Sequence, residues 1–124
     1  MVHPDARAIV LVAHGSRADA ANEAHRALCR EVSRRTGATV TAAFLELAEP
    51  TIPDAIDAVI AEGVSRVVVS PHFLLPGNHT QRDIPALVVQ AQERHPGITI
   101  EVTDHLGADP ALVDLVAERV RRAV

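Results

Sequence analysis

The segment AIVLVA, residues 8–13, is apolar at every position and runs directly into His14-Gly15-Ser16-Arg17. A short, continuous apolar run bounded by a turn reads as a strand covered on both faces, the condition of a strand inside a parallel sheet. Ligands of open α/β sheets gather outside the carboxyl ends of such strands. His14 is therefore predicted at the rim of the sheet rather than within it.

Outward from this run the pattern repeats. Residues 39–45 (TVTAAFL), 66–70 (RVVVS) and 98–102 (ITIEV) are three further strand candidates. Helical periodicity fills the gaps. Ile52, Ala55, Ile56, Val59 and Ile60 form one apolar stripe, with Thr51 and Asp54 resembling a capping box, Pro53 in the first turn and Gly63 as the stop. Ile84, Leu87, Val88 and Ala91 repeat the stripe behind Asp83, the expected N-cap, with Pro85 in the first turn. Asp109-Pro110 opens a last helix whose Leu112, Val113, Val116 and Val120 are expected to face the core. The first helix is weaker: Ala21, Ala24, Leu28 and Val32 give a small-residue stripe ending near Gly37, and Cys29 beside it reads as a buried, inert thiol. The order β-α-β-α-β-α-β-α implies parallel strands joined by right-handed crossovers. The expected architecture is a flavodoxin-like three-layer α/β sandwich on a four-stranded parallel sheet, one domain over residues 1–124.

Bulk properties narrow the function. A chain of 124 residues has room for one core. Charged residues interrupt every apolar run before the roughly 18 positions needed to span a bilayer. No basic segment followed by a long apolar stretch suggests a secretory signal, and the single cysteine allows no internal disulfide, so the cytoplasm is the expected compartment. With net charge −4, no Trp, no Tyr and two Phe, the chain lacks the basic face and stacking platforms of nucleic-acid binders. All twelve basic residues are arginine, which reads as compositional bias.

Two more residues fall at the rim with His14. Glu46 directly follows the second strand, and His79 lies in a long connection, residues 71–82 (PHFLLPGNHTQR), after the third. A loop of that length at a strand's carboxyl end is a place for function. Two imidazoles and a carboxylate suit a borderline divalent ion such as Co²⁺, Fe²⁺, Ni²⁺ or Zn²⁺ and leave coordination positions open. Each also has a plain reading: His14 as a polar strand cap, Glu46 as a solvated charge beside Glu49, His79 as a turn residue after Gly77-Asn78. His72 and His105 lie near the same edge. His3 falls in a terminal tail, His25 on a helix beside polar residues, and His95 near a helix C-terminus where a structural role suffices. The sequence contains no nucleophile elbow, Walker loop, dinucleotide fingerprint or CxxC pair.

VAHGSR (residues 12–17), FLELAEPTIPDAI (44–56), VVVSPHFLLPGNH (67–79) and RDIP (82–85) together resemble the small single-domain sirohydrochlorin chelatases. These are the short cobaltochelatase type (CbiX type) of anaerobic cobalamin synthesis, related to the siroheme ferrochelatases in the class II chelatase superfamily. The similarity runs in order from about Ile9 to Leu115. It implies a chelatase-type fold and an enzyme that inserts Co²⁺, alternatively Fe²⁺ or Ni²⁺, into sirohydrochlorin, the ion being substrate and no organic cofactor being required. It implies metal contacts at His14 and His79, with Glu46 assisting. Arg17 and Arg82 flank the histidines and are candidates for pairing with the carboxylates of the ring. His72 departs from the apolar residue expected there. Larger relatives are two-lobed, so a single lobe implies a homodimer, with the 72–76 loop (HFLLP) as the candidate contact; the alternative is that this loop folds back onto its own core or lines the ring pocket. A metal or tetrapyrrole carrier with the same ligands is the alternative.

Overall fold

Ala8, Val10 and Val12 are fully buried and alternate with half-buried Ile9 and Leu11, so the first apolar run is a strand whose two faces are unequally covered. It is β1 (Arg7–Ala13) in a computed structural model that describes residues 6–124. β2 (Thr39–Phe44) and β3 (Arg66–Pro71) flank it, and β4 (Thr99–Val102) lies outside β3. The sheet is parallel throughout, in the order β2-β1-β3-β4. All four strands fall where the sequence predicts them, within one residue at either end. His3 lies outside the described residues.

The helices are α1 (Asp19–Thr36), α2 (Ile52–Ala61), α3 (Ile84–Arg94) and α4 (Pro110–Ala123). α2 follows its predicted pattern closely. Thr51 Oγ1 accepts from Asp54 N–H at 3.3 Å, and Ile52, Ala55, Ile56 and Val59 are buried. Together with Ile84, Val88 and Ala91 of α3 they pack on Val10, Val12, Val67, Val69 and Ile100 to form the core. Each large apolar side chain buried there stabilises the fold by roughly 1.5–3 kcal/mol relative to exposure. α1 lies on the opposite face, where His25 meets the Leu11 carbonyl and the Phe44 ring. Among the described residues no helix is long and apolar enough to cross a membrane.

Three expectations are corrected. The buried stripe of α1 is Asn22, His25 and Cys29, while Ala21 and Ala24 are exposed. Alanines offer little area to bury, whereas His25 bonds the Leu11 carbonyl of β1 and Asn22 bonds the backbone of Ser16 in the loop that follows it. Asp83 does not cap α3. It has helical backbone angles and no capping hydrogen bond, because a single π turn, His79–Asp83, precedes α3 and continues into it. With Pro71 completing β3 as well, the long connection shrinks to residues 72–78. Finally, α4 buries none of its residues: Val113 is 70% exposed, and Val116 and Val120 are more than half exposed. A 3-10 turn, Leu106–Ala108, sends this helix away from the sheet that its apolar stripe was expected to cover.

Candidate active site

The parallel ladder between β1 and β2 continues past both strands. Leu45 N–H donates to the Ala13 carbonyl at 2.9 Å, and Glu46 N–H donates to the His14 carbonyl at 3.0 Å. His14 and Glu46 are thus held side by side by backbone alone. Gly15, at φ 97°, makes this possible, since a Cβ there would lie 1.7 Å from the Glu46 carbonyl oxygen. Immediately after Glu46 the chain reverses through Leu47, at φ 66°, a conformation that costs a non-glycine residue on the order of 1 kcal/mol. The first turn of α1 clamps the other side of the His14 loop. Ser16 N–H donates to Asn22 Oδ1 at 2.9 Å, and Asn22 Nδ2 donates back to the Ser16 carbonyl at 2.7 Å. From β3, His72 N–H extends the ladder to the Val12 carbonyl at 2.7 Å, and the π turn then delivers His79 to the same rim.

The result is two histidines, each with its own carboxylate. His14 Nε2 lies 2.8 Å from Glu46 Oε1, and His79 Nδ1 lies 2.9 Å from Asp83 Oδ2. The two rings are 5.1 Å apart at 65°, with Phe73 edge-on to His14 at 6.5 Å. An ionised carboxylate can only accept, so in the neutral rings each bonded nitrogen carries the proton. The lone pairs left over are Nδ1 of His14 and Nε2 of His79. The hydrogen bond from His79, reinforced by Arg82, holds the Asp83 carboxyl below its usual range, so it is ionised at neutral pH. Both rings are close to half exposed, and the pair opens to solvent.

Such a site can receive a divalent cation at two nitrogens and keep negative charge beside it without enclosing it. Among the described residues no set of three or more His, Cys, Asp or Glu side chains is arranged to cage a metal ion.

The expected residues thus divide. His14, Glu46 and His79 converge as predicted. Arg17 is exposed beside them and makes no ion pair among the described residues, while Arg82 is 75% exposed and leans toward Asp83 at 3.5 Å. His72 turns away from the rim: its ring lies 5.8 Å from His25, and burial, then the charge of His25, pushes its pKa down. His105 lines a shallow cleft with Ser70, Thr103 and Asp104. His95 bridges to Asp57 at 2.8 Å, tying α3 to α2. Cys29 is buried, and desolvation pushes its thiol up to about 11, consistent with an inert role.

Two contributors go unnoticed in the sequence reading, Asp83 and Asn22. The signal for Asp83 is its position four residues after His79, the spacing that places two side chains on one helical face. It is masked by a more familiar pattern, an Asp before a helix. Asn22 is a polar residue on the buried stripe of α1, detectable only once that stripe is known.

The sequence profile of the family described as CbiX matches residues 8–123. The chloroplastic sirohydrochlorin ferrochelatase of Arabidopsis thaliana is 39% identical over 121 residues, a match that takes in 97% of this chain and 54% of that protein. The sirohydrochlorin cobaltochelatase of Methanococcus aeolicus is 32% identical, with 92% of this chain and 97% of that one covered. Among solved structures, the sirohydrochlorin chelatase SirB of Bacillus subtilis subspecies spizizenii, in complex with cobalt, superposes with a TM-score of 0.83 at 32% identity, covering 94% of this chain and 50% of that one. The chain therefore spans about half the length of some relatives and nearly the whole of others.

Proposed function

This chain belongs to the CbiX family, and from that membership we propose that it is a chelatase inserting a divalent metal ion into sirohydrochlorin, with Co²⁺ as the favoured ion and Fe²⁺ or Ni²⁺ as alternatives. The observation that carries the reading is the pair of carboxylate-backed histidines, 5.1 Å apart on an open rim, each with one nitrogen free. A relative named as a cobaltochelatase covers nearly its own full length in this chain, and relatives named as ferrochelatases support the Fe²⁺ alternative.

Insertion exchanges M²⁺ for two pyrrole protons, so the site must hold a cation briefly and accept protons. Nδ1 of His14 and Nε2 of His79 supply two contacts, leaving the ion's remaining positions for ring nitrogens. As the ring nitrogens take the ion, the two imidazoles regain free lone pairs and can accept the released protons. Glu46 and Asp83 stabilise the imidazolium that forms, each through the hydrogen bond it already makes. Arg17 and Arg82, exposed on either side, meet the acetate and propionate groups of the ring. The reading includes a homodimer, in which a second copy supplies the wall that a single rim lacks, and a cytoplasmic setting.

The test is anaerobic incubation of the protein with sirohydrochlorin and Co²⁺, Fe²⁺ or Ni²⁺ in turn, followed by visible absorption against a protein-free control. Multiple turnovers per chain with at least one ion are expected. Stoichiometric binding without acceleration would make the protein a carrier, and no effect with any ion would remove the assignment altogether.

A further inference from the structure

Three leucines stand in water on the rim that carries the histidine pair. Leu47 is 55% exposed, and Leu74 and Leu75 are more exposed still. Exposure alone says little, because valines of α4 are as exposed and scattered apolar surface is ordinary. Leu47 differs in its backbone. At φ 66° it is the one non-glycine residue in the left-handed region among those described. A glycine or an asparagine would relieve that strain. The core would lose nothing by the exchange, since Leu47 has no place in the packed cluster. Neither local conformation nor packing within the chain accounts for a leucine at this position.

Backbone strain persists where the surroundings over-determine it, and the loop around Leu47 is tied on both sides. Glu46 N–H donates to the His14 carbonyl at 3.0 Å, and Phe44 N–H donates to the Pro50 carbonyl at 2.9 Å. Arg26 Nη2 donates to the Glu49 carbonyl at 3.0 Å. The loop that carries Leu74 and Leu75 is supported as well. Phe73 packs on the core, and its carbonyl accepts from Gly107 N–H at 2.9 Å. A Cβ on Gly107 would fall 1.5 Å from the Leu74 carbonyl oxygen, so the 106–108 turn is pressed onto this loop. β1 lies between β2 and β3 in the sheet. Leu47, just past β2, and Leu74 and Leu75, just past β3, therefore flank the rim at the end of β1, where His14 stands.

We propose that Leu47 is a substrate-positioning residue, forming with Leu74 and Leu75 the apolar walls between which the tetrapyrrole ring seats over His14 and His79. The inference rests on the proposed function and adds to it the residues that set the place of the ring. The occupant follows from the site. A ring whose central nitrogens take an ion held by two imidazoles 5.1 Å apart must lie over them, and its flat, conjugated body then reaches the flanking loops. Arg17 and Arg82 suit only its charged periphery. The apolar body needs apolar neighbours, and the exposed leucines supply them on both sides of the histidines. The left-handed backbone at Leu47 is then the cost of holding an apolar side chain at a turn where glycine has none to offer.

Anaerobic titration of the full chain with metal-free sirohydrochlorin, followed by visible absorption and set beside chemical denaturation of each variant, tests the proposal. Leu47→Gly and Leu47→Asn are expected to weaken ring binding by about 5–10-fold, the effect of leaving roughly half a leucine side chain uncovered. Both should unfold at no lower a denaturant concentration than the parent, because glycine and asparagine accept the left-handed backbone. Leu47→Met keeps the apolar area and should bind within about twofold of the parent. Leu75→Asn should lose a factor similar to that of Leu47→Asn, and Val89→Asn, at a comparably exposed position on α3, should lose none. Co²⁺ affinity should be unchanged throughout, since the histidines are untouched. Parental ring affinity in Leu47→Gly and Leu47→Asn overturns the proposal. So does a loss of ring affinity that comes with a lowered denaturation midpoint, the mark of a packing residue. The insertion reading is scored apart: ring binding that depends on Leu47 without turnover removes insertion and leaves the walls. Insertion at the parental KM in both variants removes the walls and leaves the chemistry, and a parent that binds no ring removes both.

Discussion

Replacing Asp83 with alanine removes the group that decides which nitrogen of His79 is free. The Asp83 carboxylate accepts from Nδ1 at 2.9 Å, leaving the Nε2 lone pair for an incoming ion. Without it the neutral ring distributes between two tautomers and rotates, and part of the population offers the wrong atom. Outer partners of metal-binding histidines are typically worth about 10–100-fold in affinity or activity. Here the side chains of His79 and Asp83 are 47% and 37% exposed, so water competes for the bond and the loss should sit at the bottom of that range, about 10-fold. Anaerobic titration with Co²⁺ should show it directly, and steady-state insertion should lose a similar factor in kcat with the KM for sirohydrochlorin little changed. Asp83→Asn keeps an acceptor oxygen at the same reach and should recover most of the loss. The ¹⁵N shifts of the His79 ring should report one tautomer in the parent and a mixture in the alanine variant. Parent-like Co²⁺ affinity and kcat in Asp83→Ala would refute the positioning role, as would a deficit that asparagine fails to relieve while the tautomer stays fixed.

His14→Ala or His79→Ala should abolish insertion in the absorption assay with melting temperature nearly unchanged, since both rings are close to half exposed, whereas Glu46→Gln should slow turnover less. Arg17→Ala and Arg82→Ala should each weaken sirohydrochlorin binding by about 2–5-fold, as expected of exposed ion pairs, without altering Co²⁺ affinity, and added salt should reproduce part of the effect. Gly15→Ala forces a Cβ against the Glu46 carbonyl at a φ that disfavours it, so chemical denaturation should show a loss of about 2 kcal/mol or more and insertion should fall as the rim is pried apart.

The fold was legible because its signals are redundant. In α2 the apolar spacing, the Thr51 cap and the early proline all agree, and the structure reproduces each. In α1 they conflict: the alanine stripe suggests one face, while Asn22 and His25 sit on the other. Periodicity weighs apolar area and ignores what a polar side chain gains by bonding a strand carbonyl or a loop peptide, the bonds that His25 and Asn22 make from their buried positions. α4 fails for a different reason. Its amphipathic pattern is real, but a pattern states that a face is to be covered and not which chain covers it.

The same distinction runs through the site. Topology brings His14 and Glu46 to one rim, because each directly follows a strand that ends there or its ladder, and the connection after β3 returns His79 to the same rim through the π turn. What topology leaves out is the orientation of the rings, and orientation decides the chemistry. Had His14 bonded Glu46 through Nδ1 in place of Nε2, the same residues would present a different nitrogen to the ion. The features that set it are local and individually weak: a glycine that lets two loops touch, a left-handed Leu47 after Glu46, and a π turn that aligns Asp83 with His79. None has a sequence signature strong enough to stand against the commoner reading of the same residues. The π turn is the clearest instance, since it inserts an extra residue into the helical start and thereby converts an apparent N-cap into the partner of a histidine. In the proposed insertion reaction that partner decides which nitrogen of His79 keeps its lone pair for the ion.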